Sequence, residues 1–86
     1  MASLAKIFDT ILRGQSDTNV RFADLQRILK ALSFQFRVKG DHFIYWREDI
    51  EEIINIQPLR GGKAKPYQVK QVRELMLRYT LRIKES

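Results

Sequence analysis

The stretch from Phe34 to Trp46 constrains the fold more than any other. Phe34, Phe36 and Val38 alternate with Gln35, Arg37 and Lys39, the period-two pattern of a half-buried strand. Gly40-Asp41 suits a tight turn, and His42–Trp46 then reads as the antiparallel return strand. That return strand puts His42, Ile44 and Trp46 on one face and Phe43 and Tyr45 on the other. Both faces are rich in apolar residues, so alternation alone does not say which one meets water. Either Tyr45 or Trp46 must point to the side that no other element covers.

The flanking sequence supplies the cover. Leu4, Ile7, Phe8, Ile11 and Leu12 form the stripe of an amphipathic helix, which Gly14 stops before the polar linker GQSDTN. A second helix is expected from about Phe22 to Leu32, with Leu25, Ile28, Leu29 and Leu32 on one face and no clean N-cap. After Trp46, REDIEE reads as a charged connection. A third strand is expected over Glu52–Gln57, with Ile54 and Ile56 on one side and Pro58 ending it. LRGGKAKP is a loop, and Pro66 suits the first position of a closing helix that carries Val69, Val72, Leu75, Met76, Tyr79 and Ile83. The order is α-α-βββ-α: an α+β domain with a three-stranded antiparallel meander and helices on one face. Phe34, Phe36 and the helical stripes are the expected core.

With 86 residues, 44% of them apolar, the chain has enough for one compact core and little to spare. It has no cysteine, which excludes disulfides and thiolate metal sites and fits a cytoplasmic location. No stretch is long and apolar enough to cross a bilayer. Residues 1–59 hold eight Lys/Arg and eight Asp/Glu. Arg60, Lys63, Lys65, Lys70, Arg73, Arg78, Arg82 and Lys84 face only Glu74 and Glu85, so the whole net charge of +6 lies in the last third. A one-sided basic surface favours a polyanion, with RNA or DNA the usual case and an acidic protein or a membrane surface the competitors.

Chemistry-bearing groups are few. His42 is the single histidine. The simplest reading is a solvated strand residue; the sharper one is a general acid/base, since an ordinary imidazole titrates near pH 6.5 and both takes and gives a proton. One histidine among scattered carboxylates lacks metal-ligand spacing, and Lys39 and Arg47 would repel a cation, so no metal or other cofactor is expected. RGGKAK offers glycines and cations for a phosphate but lacks the spacing of a P-loop.

FADLQRILKALSF followed by KGDHFIY resembles the HicA family of toxins from type II toxin–antitoxin systems. That family's pattern is a helix ending in Leu-Leu-x-x-Leu-Gly-Phe, a strand carrying an arginine, then Gly-Ser-His and a hydrophobic strand. Here it stands as Ile28-Leu29, Leu32-Ser33-Phe34, Arg37 and Gly40-Asp41-His42-Phe43-Ile44-Tyr45, and AKPYQVKQVRELMLRY looks like the closing helix. The likeness covers about residues 20–80. It divides the chain into a helical extension and linker, 1–19, and a HicA-like domain, 20–86. The extension either caps the core or offers its apolar stripe to a partner, for instance in an oligomer. Two positions depart from the pattern: Ser33 stands where the family has glycine, and Asp41 where it has serine.

The resemblance implies a double-stranded-RNA-binding-domain-like αβββα fold and an endoribonuclease that cleaves mRNA. It also implies a HicB-like antitoxin covering the catalytic histidine, here His42. The expected mechanism is metal-independent: His42 takes the 2′-OH proton or protonates the leaving 5′-oxygen, with Arg37, Lys39 or Arg47 stabilising the added charge. Lys63, Lys65, Lys70 and Arg73 are the expected phosphate contacts. The competing expectation is a non-catalytic RNA- or protein-binding module of the same fold.

Overall fold

The computed structural model describes residues 3–83. Its elements are α1 (Leu4–Arg13), a short 3₁₀ turn (Asp17–Asn19), α2 (Phe22–Ala31), β1 (Gln35–Lys39), β2 (His42–Arg47), β3 (Ile50–Ile56) and α3 (Pro66–Arg78). The three strands form one antiparallel sheet in the order β1-β2-β3, giving an α+β architecture. No helix among the described residues is long and apolar enough to cross a membrane.

α1 begins where the Ser3 side chain accepts a hydrogen bond from the Lys6 N–H, and it ends at Gly14 in the left-handed conformation. Its stripe faces inward: Ile7 and Ile11 join the core, and Leu4, Phe8 and Leu12 pack against it. Ile11 is wholly buried, which contributes about 1.5–3 kcal/mol. Arg73 ties α1 and its linker to α3. Its guanidinium grips Asp17 at 2.8 and 3.0 Å and donates to the Ile11 carbonyl at 3.2 Å.

α2 has no side-chain cap. The loop after β3 supplies the missing partner instead, because the Phe22 N–H donates to the Gly62 carbonyl. At its far end the Phe34 N–H bonds the Leu29 carbonyl and the Ser33 N–H bonds the Lys30 carbonyl, a Schellman closure that requires Ser33 at φ 70°. The left-handed position thus falls on the residue where the HicA pattern has glycine. Thr80, at φ 51°, closes α3 in the same manner, with the Leu81 N–H on the Met76 carbonyl.

The β1–β2 hairpin turns on Gly40, whose φ of 64° alone is positive among the two central residues, as a type II′ turn demands. Register then assigns the faces. Phe36 lies opposite Tyr45 and Tyr45 opposite Ile54, while Phe43 lies opposite Ile56. Tyr45, Ile54 and Ile56 are buried beneath the helices, with the Gln26 amide donating to the Tyr45 hydroxyl and Phe22 edge-on to Phe43. Trp46, Ile44 and His42 therefore occupy the uncovered side.

Two expectations change. Phe36 is 39% exposed and Val38 52%, because the helices stop short of β1, an edge strand exposed along its whole length. Phe36 stacks on Tyr45 at 5.2 Å, and the Lys30 ammonium lies over its ring at 4.9 Å from the centroid. REDIEE is not a long connection: Glu48-Asp49 makes the turn and β3 starts at Ile50, with an irregular register between Tyr45 and Arg47 absorbing the extra residues. Ile50 is buried, and Glu52 reaches the end of α3, where it accepts from the Tyr79 hydroxyl and Arg78.

Candidate functional site

His42 opens β2 directly after the turn, and its side chain is 47% exposed. Its cross-strand partner is Lys39, and Arg37 lies opposite Ile44, so both cations share the face of the ring. On the other flank Asn55 lies opposite Ile44, and its Oδ1 is 3.0 Å from His42 Nδ1. An amide oxygen only accepts, so with this orientation Nδ1 carries the hydrogen and Nε2 of the neutral ring holds a free lone pair. Nε2 faces the Asp41 carboxylate at 3.7 Å, beyond hydrogen-bond reach.

A relay of polar side chains holds Asp41 in place. Gln57 donates its amide N–H to Asp41 and accepts from the Lys65 ammonium at 3.3 Å. The buried Gln68 amide, its O and N assigned by hydrogen bonding, spans the N–H and C=O of Gln57 and so fixes this end of β3 against α3. The Gln57 hydrogen bond, with the nearby His42 and Lys65 charges adding to it, holds the Asp41 carboxyl below its usual range. The site is thus a shallow cluster of His42, Asp41, Asn55, Gln57, Lys65 and Lys39, one end of an open sheet face. Cavities lie between α1 and α2 and along α3.

Comparison with protein-family models, curated proteins and solved structures finds no match for this chain.

The other expected contacts scatter. Arg47 points to the covered side, forked onto Asp49 at 2.6 and 2.9 Å and donating to the Leu32 carbonyl at 2.8 Å; it holds the hairpin to the end of α2. That pairing holds Asp49 below its usual range. Arg73 is turned inward to Asp17 and Ile11. Lys63 donates to Asn19 and bridges Arg21 in the loop that caps α2. Lys70 is exposed on α3, outside the sheet. Lys84 lies outside the described residues. Of the expected cations, Arg37, Lys39 and Lys65 accompany His42.

Asn55, Gln57 and Trp46 did not emerge from the sequence as site residues. The signal was present for Asn55 and Gln57: each alternates with the buried Ile54 and Ile56, which assigns both to the outer face once the register with β2 is known. Among the described residues no three His, Asp or Glu side chains gather as a metal-binding group.

Proposed function

We propose that this chain is a HicA-like endoribonuclease of double-stranded-RNA-binding-domain-like architecture, held in check by a HicB-like antitoxin. The observation that carries the reading is the His42 ring: exposed, oriented through Nδ1 by Asn55, and flanked by Lys39 and Arg37 on an uncovered face. Nε2 takes the proton from a ribose 2′-OH. The freed oxygen forms a bond to the adjacent phosphorus, and the bond from phosphorus to the 5′-oxygen breaks. Lys39 and Arg37 lie where they offset the charge that builds on the phosphoryl oxygens. The leaving oxygen takes its proton from solvent or from the imidazolium, and the products are a 2′,3′-cyclic phosphate and a 5′-hydroxyl. Asp41, in the place of the family's serine, lies 3.7 Å from the nitrogen that carries the proton between the two steps.

The test is cleavage of labelled RNA in EDTA by the wild type and by His42→Ala. An isolated acid/base contributes about 10²- to 10⁴-fold in rate, so the variant should lose most cleavage while its circular dichroism is unchanged. Undiminished cleavage by His42→Ala ends the reading. Finding an adjacent reading frame that encodes an acidic protein would test the toxin assignment separately.

Asp41 also favours a second reading, a binding module without catalysis, because its carboxylate stands where a phosphate approaches Nε2. RNA bound by the wild type and never cut decides for that module.

A further inference from the structure

The uncovered sheet face continues well past His42. Successive outward residues on β2 are His42, Ile44 and Trp46, and their cross-strand partners on β1 are Lys39, Arg37 and Gln35. Ile44 and Trp46 are both partly exposed, although each is large and apolar. Two cations followed by a glutamine therefore run parallel to a row that begins with an imidazole and ends with an indole. Strand geometry puts His42 and Trp46 about 13 Å apart. That distance suits an extended chain of about two nucleotides better than a duplex, whose width a single strand pair does not span.

Charge bounds this row. Lys39 and Lys65 flank the His42 end. Glu48, Asp49 and Glu51 cluster beyond Trp46, and of these Asp49 is neutralised by Arg47. A polyanion is drawn in at the histidine end and repelled past the tryptophan. An exposed aromatic ring at the end of a row that begins with cations is an arrangement on which single-stranded nucleic acids stack their bases.

We propose that the outer face from His42 to Trp46 is a single-stranded RNA track, on which Trp46 stacks a base about two nucleotides from the phosphate at His42. This rests on the reading of His42 as the catalytic base, and it adds the class of substrate and the residue that sets its position. Ile44 lies beneath the intervening nucleotide, and Arg37 meets its phosphate.

Trp46 is the only tryptophan, so its fluorescence reports on this face alone. His42→Ala protein is titrated with a short single-stranded oligoribonucleotide carrying an end label. Expected are quenching of Trp46 that follows the anisotropy isotherm of the label, and weaker quenching by a duplex of the same sequence. Trp46→Ala should weaken binding about 5- to 150-fold, and Trp46→Phe should restore most of it, which separates stacking from damage to the fold. RNA that binds without changing Trp46 fluorescence, together with unaltered affinity of Trp46→Ala, overturns the track. So does equal or stronger binding of duplex. The two readings fail separately: wild-type cleavage with a silent Trp46 removes the track and leaves the nuclease. Quenching of Trp46 with no cleavage by the wild type removes the nuclease and leaves the track.

Discussion

Asp17→Ala should destabilise the whole domain, although Asp17 lies in a linker and far from the candidate site. The Arg73 guanidinium makes three hydrogen bonds, two to Asp17 and one to the Ile11 carbonyl, and the substitution leaves only the last. The side chains of Arg73 and Asp17 are 16% and 21% exposed. An exposed ion pair contributes about 0–1 kcal/mol, and removing one partner of a fully buried pair costs about 3–5 kcal/mol. A pair covered to this extent falls between, and we expect a loss of about 2–3 kcal/mol. In a domain this small that lowers the melting temperature by about 8–24 °C. Urea denaturation followed by Trp46 fluorescence measures it without adding salt that screens the pair. Arg73→Met removes the stranded charge as well, so the double variant should recover part of the loss, with a coupling of at least about 1 kcal/mol. If Asp17→Ala costs less than about 1 kcal/mol and the cycle is additive, the clamp contributes nothing and α1 is held by its apolar stripe alone.

Ser33→Gly should stabilise the domain by about 1 kcal/mol, since Ser33 occupies a left-handed conformation that glycine adopts freely, and the urea midpoint reports it. Asn55→Ala should lower the turnover of RNA about tenfold with little change in RNA affinity, because it frees the His42 ring to rotate; Asn55→Asp keeps an acceptor and should restore most of the rate. The Tyr79 hydroxyl bond holds the Glu52 carboxyl below its ordinary 4.5, and the same bond raises Tyr79 above its ordinary 10.0. This pair therefore stabilises the fold between those limits. The contribution is lost as pH falls through the depressed carboxyl value or rises through the raised phenol value, and Glu52→Gln should flatten both flanks of the pH–stability profile. Lys39→Gln should reduce the salt slope of single-stranded RNA binding by about 0.7, whereas Lys70→Gln should leave it unchanged; the reverse result assigns the RNA to the α3 surface.

Periodicity carried the fold. The stripes of α1 and α2 and the alternation of β1 each repeat at a spacing that suits one element type, the Gly40-Asp41 turn adds β2 as the return strand, and these elements form as expected. Where spacing was silent, sequence reasoning went astray. REDIEE looked like a connection because its charges mask Ile50, and only the shifted register makes room for them in the ladder. Phe36 looked like core because alternation reports a face and not the reach of the helices behind it. α2 showed no N-cap because its partner is a backbone carbonyl forty residues on. The same limit divides the site. His42, Lys39 and Arg37 are local to one hairpin and could be grouped by pattern, whereas Arg47 and Arg73 looked like free cations until their distant partners, the Leu32 carbonyl and Asp17, came into view. Net charge counts cations without saying which are already occupied.

The exposed edge of β1 has one more consequence. A strand with an open side invites a second copy to dock against it head to tail. A two-fold pairing centred on Arg37 sets Arg37 against its own image, and one centred on Val38 or Phe36 sets Arg37 against Lys39 or Gln35. The two registers centred on Arg37 and Val38 bring like charges together, with Lys30 close by over Phe36. The cations that line this rim therefore also oppose edge-to-edge pairing of identical molecules in those two registers, with no helix needed to hide the border.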